Sequence, residues 1–287
     1  MAAIYDRTTQ DAGNIVVLEH LNLAVPDQQA ATAFYIMGMG FTRDPYMTVG
    51  LDNMWVNIGR SQCHLPTAKA QRLCGTIGIV VPDLNELALR LDKVAPRLPD
   101  TQFGFLRHAN RIDVTCPWGN RFRCHAPGPE FGATDLAVAY IEFDVVRGAA
   151  DGIARFYREA LNAIVTTEQH GGTAVARVTA GSQKLLFQET DAILIPYDGH
   201  HIQIYIADFA GPHRYLGARG LITSEDSAYQ YRFCDIVEPD TGTVLHKVEH
   251  EVRSLGHPLY GRPLVNRNPA QGQGRYLRGQ DIFRGTY

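Results

Sequence analysis

Four strand-like runs in the 287-residue chain place polar groups on one face and aliphatic groups on the other. They open at His20, Thr76, Glu142 and His201. Leu21, Leu23 and Val25, then Ile77, Ile79 and Val81, then Ile141, Phe143 and Val145, then Ile202, Ile204 and Ile206 alternate along one face, as half-buried strands require. The other face carries His20 and Asn22, Thr76 and Gly78, Glu142 and Asp144, and His201, Gln203 and Tyr205. Imidazole, carboxylate and phenol groups gathered in one place can move protons or ligate a cation. If the sheets curl, these groups converge inside a cup while the aliphatic faces pack on helices.

The elements that position them recur in order. Phe34-Tyr35 follows His20 at the same distance as Phe156-Tyr157 follows Glu142. Each opening strand leads into a helical stretch and then further alternating runs: Asn53 to Ile58 and Ser61 to Leu65, Arg111 to Thr115 and Arg121 to Ala126, Thr173 to Thr179 and Lys184 to Gln188, Tyr229 to Cys234 and Thr243 to Val248. Pro117-Trp-Gly-Asn120 and Pro239-Asp-Thr-Gly242 supply reversals. Asp27 and Asp83 stand at helix N-caps, Glu86 completes a capping-box-like pattern, and Leu84, Leu87, Leu91 and Val94 form an apolar stripe. The expected class is α+β: four βαβββ modules paired into two curled-sheet, barrel-like domains, with an extended C-terminal tail.

Composition narrows the function. Lys plus Arg number 27 against 30 Asp plus Glu, a formal charge of −3, so no basic excess favours a nucleic-acid backbone. No run of about 18 apolar residues signals a membrane span. The five cysteines are widely spaced without a C-x-x-C pair, and the N-terminal residues are polar with Asp6 and Asp11. These features predict a cytoplasmic protein and argue against nucleic-acid or membrane partners, with homo-oligomerisation left open. The expected boundaries are 1–14, an N-terminal segment; 15–130, a first two-module domain; 136–252, a second two-module domain; and 253–287, a basic tail.

Four such modules, with "EHLNLAVPD" and "FYIMGMGF" in unit one and "DGHHIQIYIAD" and "VEPDTGTVLHKV" in unit four, resemble the vicinal oxygen chelate superfamily of glyoxalase I, bleomycin- and fosfomycin-resistance proteins and extradiol dioxygenases. The resemblance implies a divalent metal held by a His on the opening strand of one unit, a His on that of its partner, and a Glu on the partner's last strand. Carried onto units three and four, it selects Glu142, His201 and His246, two imidazoles and one carboxylate in exchanged order. Fe(II) or Mn(II) is the expected ion, with Zn(II) or Ni(II) as alternatives. Units one and two give His20, Thr76 and Arg123, which is no ligand set; His64 could join His20 as a weak two-His site.

Tyr205 and His200 are the expected proton-moving residues, although the parity of His200 places it on the packing face. Most like the family pattern is an extradiol-type dioxygenase acting on a substrate with two vicinal oxygens. A glyoxalase-like lyase or isomerase with Asp144 or Glu189 as base, and a metal-free binding protein, are the alternatives. The tail from Leu255 carries Arg262, Arg267, Arg275, Arg278 and Arg284 between apolar anchors that include Leu259, Tyr260, Leu264, Val265 and Phe283, as expected of a strap docked on the body or on a second subunit.

Overall fold

The computed structural model describes residues 6–47, 50–268 and 271–282. Phe283 and Arg284 of the expected strap lie outside them. Unit one comprises β1 (Ile15–Asn22), α1 (Gln28–Ala31) prolonged by a π-helical stretch (Thr32–Gly38), β2 (Thr42–Arg43), β3 (Asn53–Ile58) and β4 (Ser61–Pro66). Unit two repeats this as β5 (Gly75–Val80), α2 (Leu84–Val94), β6 (Gly104–Arg107), β7 (Arg111–Thr115) and β8 (Arg121–His125). Unit three is β9 (Ala137–Val146), α3 (Ala150–Leu161), β10 (Val165–His170), β11 (Thr173–Ala180) and β12 (Gln183–Thr190). Unit four is β13 (His201–Ile206), α4 (Ala210–Gly217), β14 (Ile222–Ser227), β15 (Gln230–Val237) and β16 (Val244–Ser254).

The Asp27 side chain accepts from the Gln29 and Ala30 amides and Asp83 from those of Asn85 and Glu86, so both helices begin on a short carboxylate. Leu87, Leu91 and Val94 are buried beneath α2, as their spacing requires.

Within every unit the first strand runs parallel to the last. The units then combine in an order that differs from consecutive pairing. One eight-stranded sheet runs β14-β15-β16-β13-β1-β4-β3-β2, joining units four and one; the other runs β10-β11-β12-β9-β5-β8-β7-β6, joining units three and two. The seams are antiparallel pairs, β1 with β13 and β5 with β9. Helices, by contrast, pack between consecutive units, α2 on the π-helical stretch and α3 on α4. Segments 15–130 and 136–252 are thus each held together through helices, while each cup is shared between them. All four modules present the same kind of edge at their first strand, so the pairing is not encoded in the module pattern.

The aliphatic faces read from sequence are the core. Leu21, Leu23, Ile77, Ile79, Ile141, Phe143, Ile202 and Ile204 are all at most 1% exposed.

Candidate metal centre

In the sheet of units one and four, the ligand-capable atoms of His20, His201 and Glu251 lie within 4.8 Å of one another, the one such cluster of three or more among the described residues. The strands account for this. β1 and β13 meet antiparallel with His20 opposite Gln203 and Asn22 opposite His201, and β16 runs beside β13 with Glu251 opposite Gln203. Three side chains on one face of three adjacent strands therefore converge.

Each imidazole has a carboxylate behind it. His20 Nδ1 faces Glu19 Oε2 at 3.5 Å, and His201 Nδ1 faces Glu249 Oε1 at 3.6 Å. His201 Nε2 points the other way, to Glu251 Oε2 at 3.6 Å. A carboxylate behind a ligating imidazole fixes its tautomer and leaves the far nitrogen for the ion. Burial, reinforced by nearby positive groups, lowers the His201 pKa to about 2, so the ring is neutral and keeps a lone pair. Glu251 is 3% exposed and is held by Arg232 and by Arg253 Nη2 at 2.5 Å. A carboxylate offers about four lone-pair sites, so two guanidinium partners leave it room for a cation.

The donors fit a divalent ion. Donors sharing one side of such an ion at about 2.0–2.2 Å stand about 3 Å apart, so atoms that lie within 4.8 Å of one another draw together by up to about 2 Å to hold it. A second sign is Gln203, between His20 and Glu251 in register. It is 0% exposed, yet neither its oxygen nor its nitrogen has a hydrogen-bond partner. Buried amides are rarely left so.

His64 completes the pattern. On β4 it stands opposite Asn22, as Glu251 on β16 stands opposite Gln203, so the two occupy matching positions of the first and last units. Its Nε2 is 2.7 Å from Asn53 Oδ1 and its ring stacks on Trp55 at 3.9 Å.

The expected set of Glu142, His201 and His246 is not brought together. Glu142 is in the other cup, opposite Thr76 on the β5–β9 seam, with Arg123 Nη1 at 3.7 Å; burial raises its carboxyl pKa. Arg123 is also 3.7 Å from Asp113, so a guanidinium stands among the carboxylates where the first cup gathers its ligands. The Tyr140 ring fills the space beside Gly78, where even a Cβ would meet it at 2.2 Å.

His246 lies on the packing face, with Phe143 and Phe187 rings at 5.6 and 5.8 Å, and burial lowers its pKa to about 4. Counting four residues past the turn glycine suits the 5-residue β8 but not the 11-residue β16, whose extra length carries the ligand position on to Glu251. His200 is turned away from the cup and bonded through Nδ1 to Asp198 at 2.8 Å. Tyr205 does face the cup, further along β13 and buried, with its hydroxyl pushed up to about 12 chiefly by burial.

The fold is shared with solved structures of low sequence identity. A Bacillus subtilis subsp. subtilis str. 168 protein provisionally named a dioxygenase superposes with a TM-score of 0.58 at 15% identity, over 85% of this chain and 86% of its own. Glyoxalase I from Zea mays superposes with a TM-score of 0.56 at 13% identity, over 83% of this chain and 92% of its own. No protein-family model matches the sequence, and no curated protein matches it.

Proposed function

We propose that the chain is a metal-dependent enzyme acting on a small substrate with two adjacent oxygens, and that its reaction is an extradiol-type dioxygenation. The observation that carries this reading is the convergence of His20, His201 and Glu251, two imidazoles and one carboxylate. Such a set on one side of Fe(II) or Mn(II) leaves open positions. The bound metal supplies Lewis acidity toward the two substrate oxygens and a redox partner for O₂.

The chain's own groups do the rest. Glu19 and Glu249 hold the two imidazoles, and Arg253 and Arg232 hold Glu251. Tyr205, with a pKa near 12, stays protonated at neutral pH and acts as a hydrogen-bond donor rather than a base. Glu19, which lines a cavity next to His20, is the carboxylate placed to take a proton from a substrate hydroxyl. Five free cysteines support a cytoplasmic setting, and no helix among the described residues is long and apolar enough to cross a membrane.

The test is oxygen uptake with catechol after anaerobic loading with Fe(II). Uptake in the wild type that is absent in His201→Ala is expected. Isomerisation of a hemithioacetal without oxygen uptake would replace this reading by the glyoxalase-like one.

A further inference from the structure

We propose that Arg262, carried over the metal cup by the C-terminal strap, determines specificity by binding a carboxylate on the substrate. The preferred substrate is then a flat, largely apolar acid. The proposal rests on the metal reading only for the substrate's adjacent oxygens.

The strap is fastened residue by residue to unit one. Asn266 accepts from the Gly59 amide at 2.9 Å and donates to the Gly59 carbonyl at 2.8 Å. Asn57 Nδ2 donates to the Val265 carbonyl, and the Arg267 amide to Thr42 Oγ1, both at 2.8 Å. This brings the Arg262 guanidinium inside. Its Nη2 donates to Asp44 Oδ2 at 2.9 Å and lies 3.4 Å from Gln62 Oε1, and Gln62 is the register partner of His20.

Its other nitrogens are the informative ones. Nε and Nη1 are buried and have no hydrogen-bond partner. A guanidinium carries five N–H donors, of which these two nitrogens hold three. Buried charged donors without acceptors are costly, and an anionic ligand relieves that cost with charge-assisted bonds.

A cavity of about 410 Å³ has Arg262 in its wall, with Val17, Glu19, Tyr205, Tyr260 and Leu264 among the rest of its lining. The Tyr205 and Tyr260 rings, 5.0 Å apart, make an aromatic wall suited to a flat ligand. The cavity adjoins the metal ligands, because Glu19 also faces His20 and Tyr205 shares the cup face of β13 with His201.

The experiment measures binding of benzoate and its neutral isostere benzamide by calorimetry, on the full chain loaded with Mn(II) and on His201→Ala. Benzoate is expected to bind about tenfold tighter or better in the loaded wild type, the equivalent of one charge-assisted contact. Arg262→Gln is expected to lose that preference. Asp44→Asn, which breaks the same ion pair but keeps the guanidinium, is expected to retain it. A preference that persists in His201→Ala keeps the anion site even if the metal reading fails. Three results would overturn the proposal: no preference in the wild type, a preference surviving in Arg262→Gln because the carboxylate sits on the metal, or its loss in Asp44→Asn.

Discussion

The imidazoles of His20 and His201 lie with ring centroids 5.8 Å apart across the seam between β1 and β13, the first and last units of the chain. Neither unit holds the site alone. One contributes an imidazole and the other an imidazole and the Glu251 carboxylate, so the proposed metal centre depends on the pairing of the two ends of the sequence.

Trp55 reports on this seam. Its ring is 5.0 Å from that of His20 and stacks on His64. Titration with Co(II), a quenching stand-in for Fe(II), is expected to reduce tryptophan emission in the wild type and in Trp118→Phe, but not in Trp55→Phe. Quenching that survives in Trp55→Phe would place the ion elsewhere.

In the second cup, Arg123 neutralises Glu142 and Asp113 where a cation would otherwise be needed. Arg123→Ala should lower stability by about 1 kcal/mol, because it leaves the half-buried Glu142 carboxylate without its partner, while metal stoichiometry stays unchanged. Thermal unfolding and metal analysis of one preparation check both halves. An unchanged melting temperature would show that the pair is only a solvated contact.

The strap should loosen in acid. Burial would raise the Asp44 carboxyl, but hydrogen bonds from Arg262 and from the Met47 and Tyr46 amides outweigh it and hold the pKa below the usual value. A group with a depressed folded-state pKa stabilises fully above its unfolded value of about 4, and that contribution is lost as pH falls through the lower folded value. Hydrogen exchange at the Val265 to Arg267 amides, corrected for intrinsic rate, should speed up below about pH 4 in the wild type. In Asp44→Asn the step should vanish. A wild-type profile without the step would detach the strap from this ion pair.

The module pattern was legible because its signals are local. Alternation in the four opening strands, the caps at Asp27 and Asp83 and the α2 stripe each depend on a few neighbouring residues. The convergence of His20, His201 and Glu251 was not, for two reasons. Which modules share a sheet is a long-range choice, and consecutive pairing put Glu142 beside His201 when the seam puts His20 there. The position along β16 depends on strand length, and the alternation of His246 with Val248 hid a break in register between Asp235 and Phe233 on the strand it pairs with. Read with unit one as the partner of unit four, the same family pattern gives His20, His201 and a Glu on the last strand without any exchange of identities.

The most direct test of the account is metal stoichiometry after anaerobic reconstitution with Fe(II), measured on the wild type and on five single alanine variants. One ion per chain is expected in the wild type, in Glu142→Ala and in His246→Ala, and little or none in His20→Ala, His201→Ala and Glu251→Ala, since each removes one of three protein donors. Full stoichiometry in His20→Ala, or its loss in Glu142→Ala or His246→Ala with the fold intact, would contradict a centre built across the β1–β13 seam.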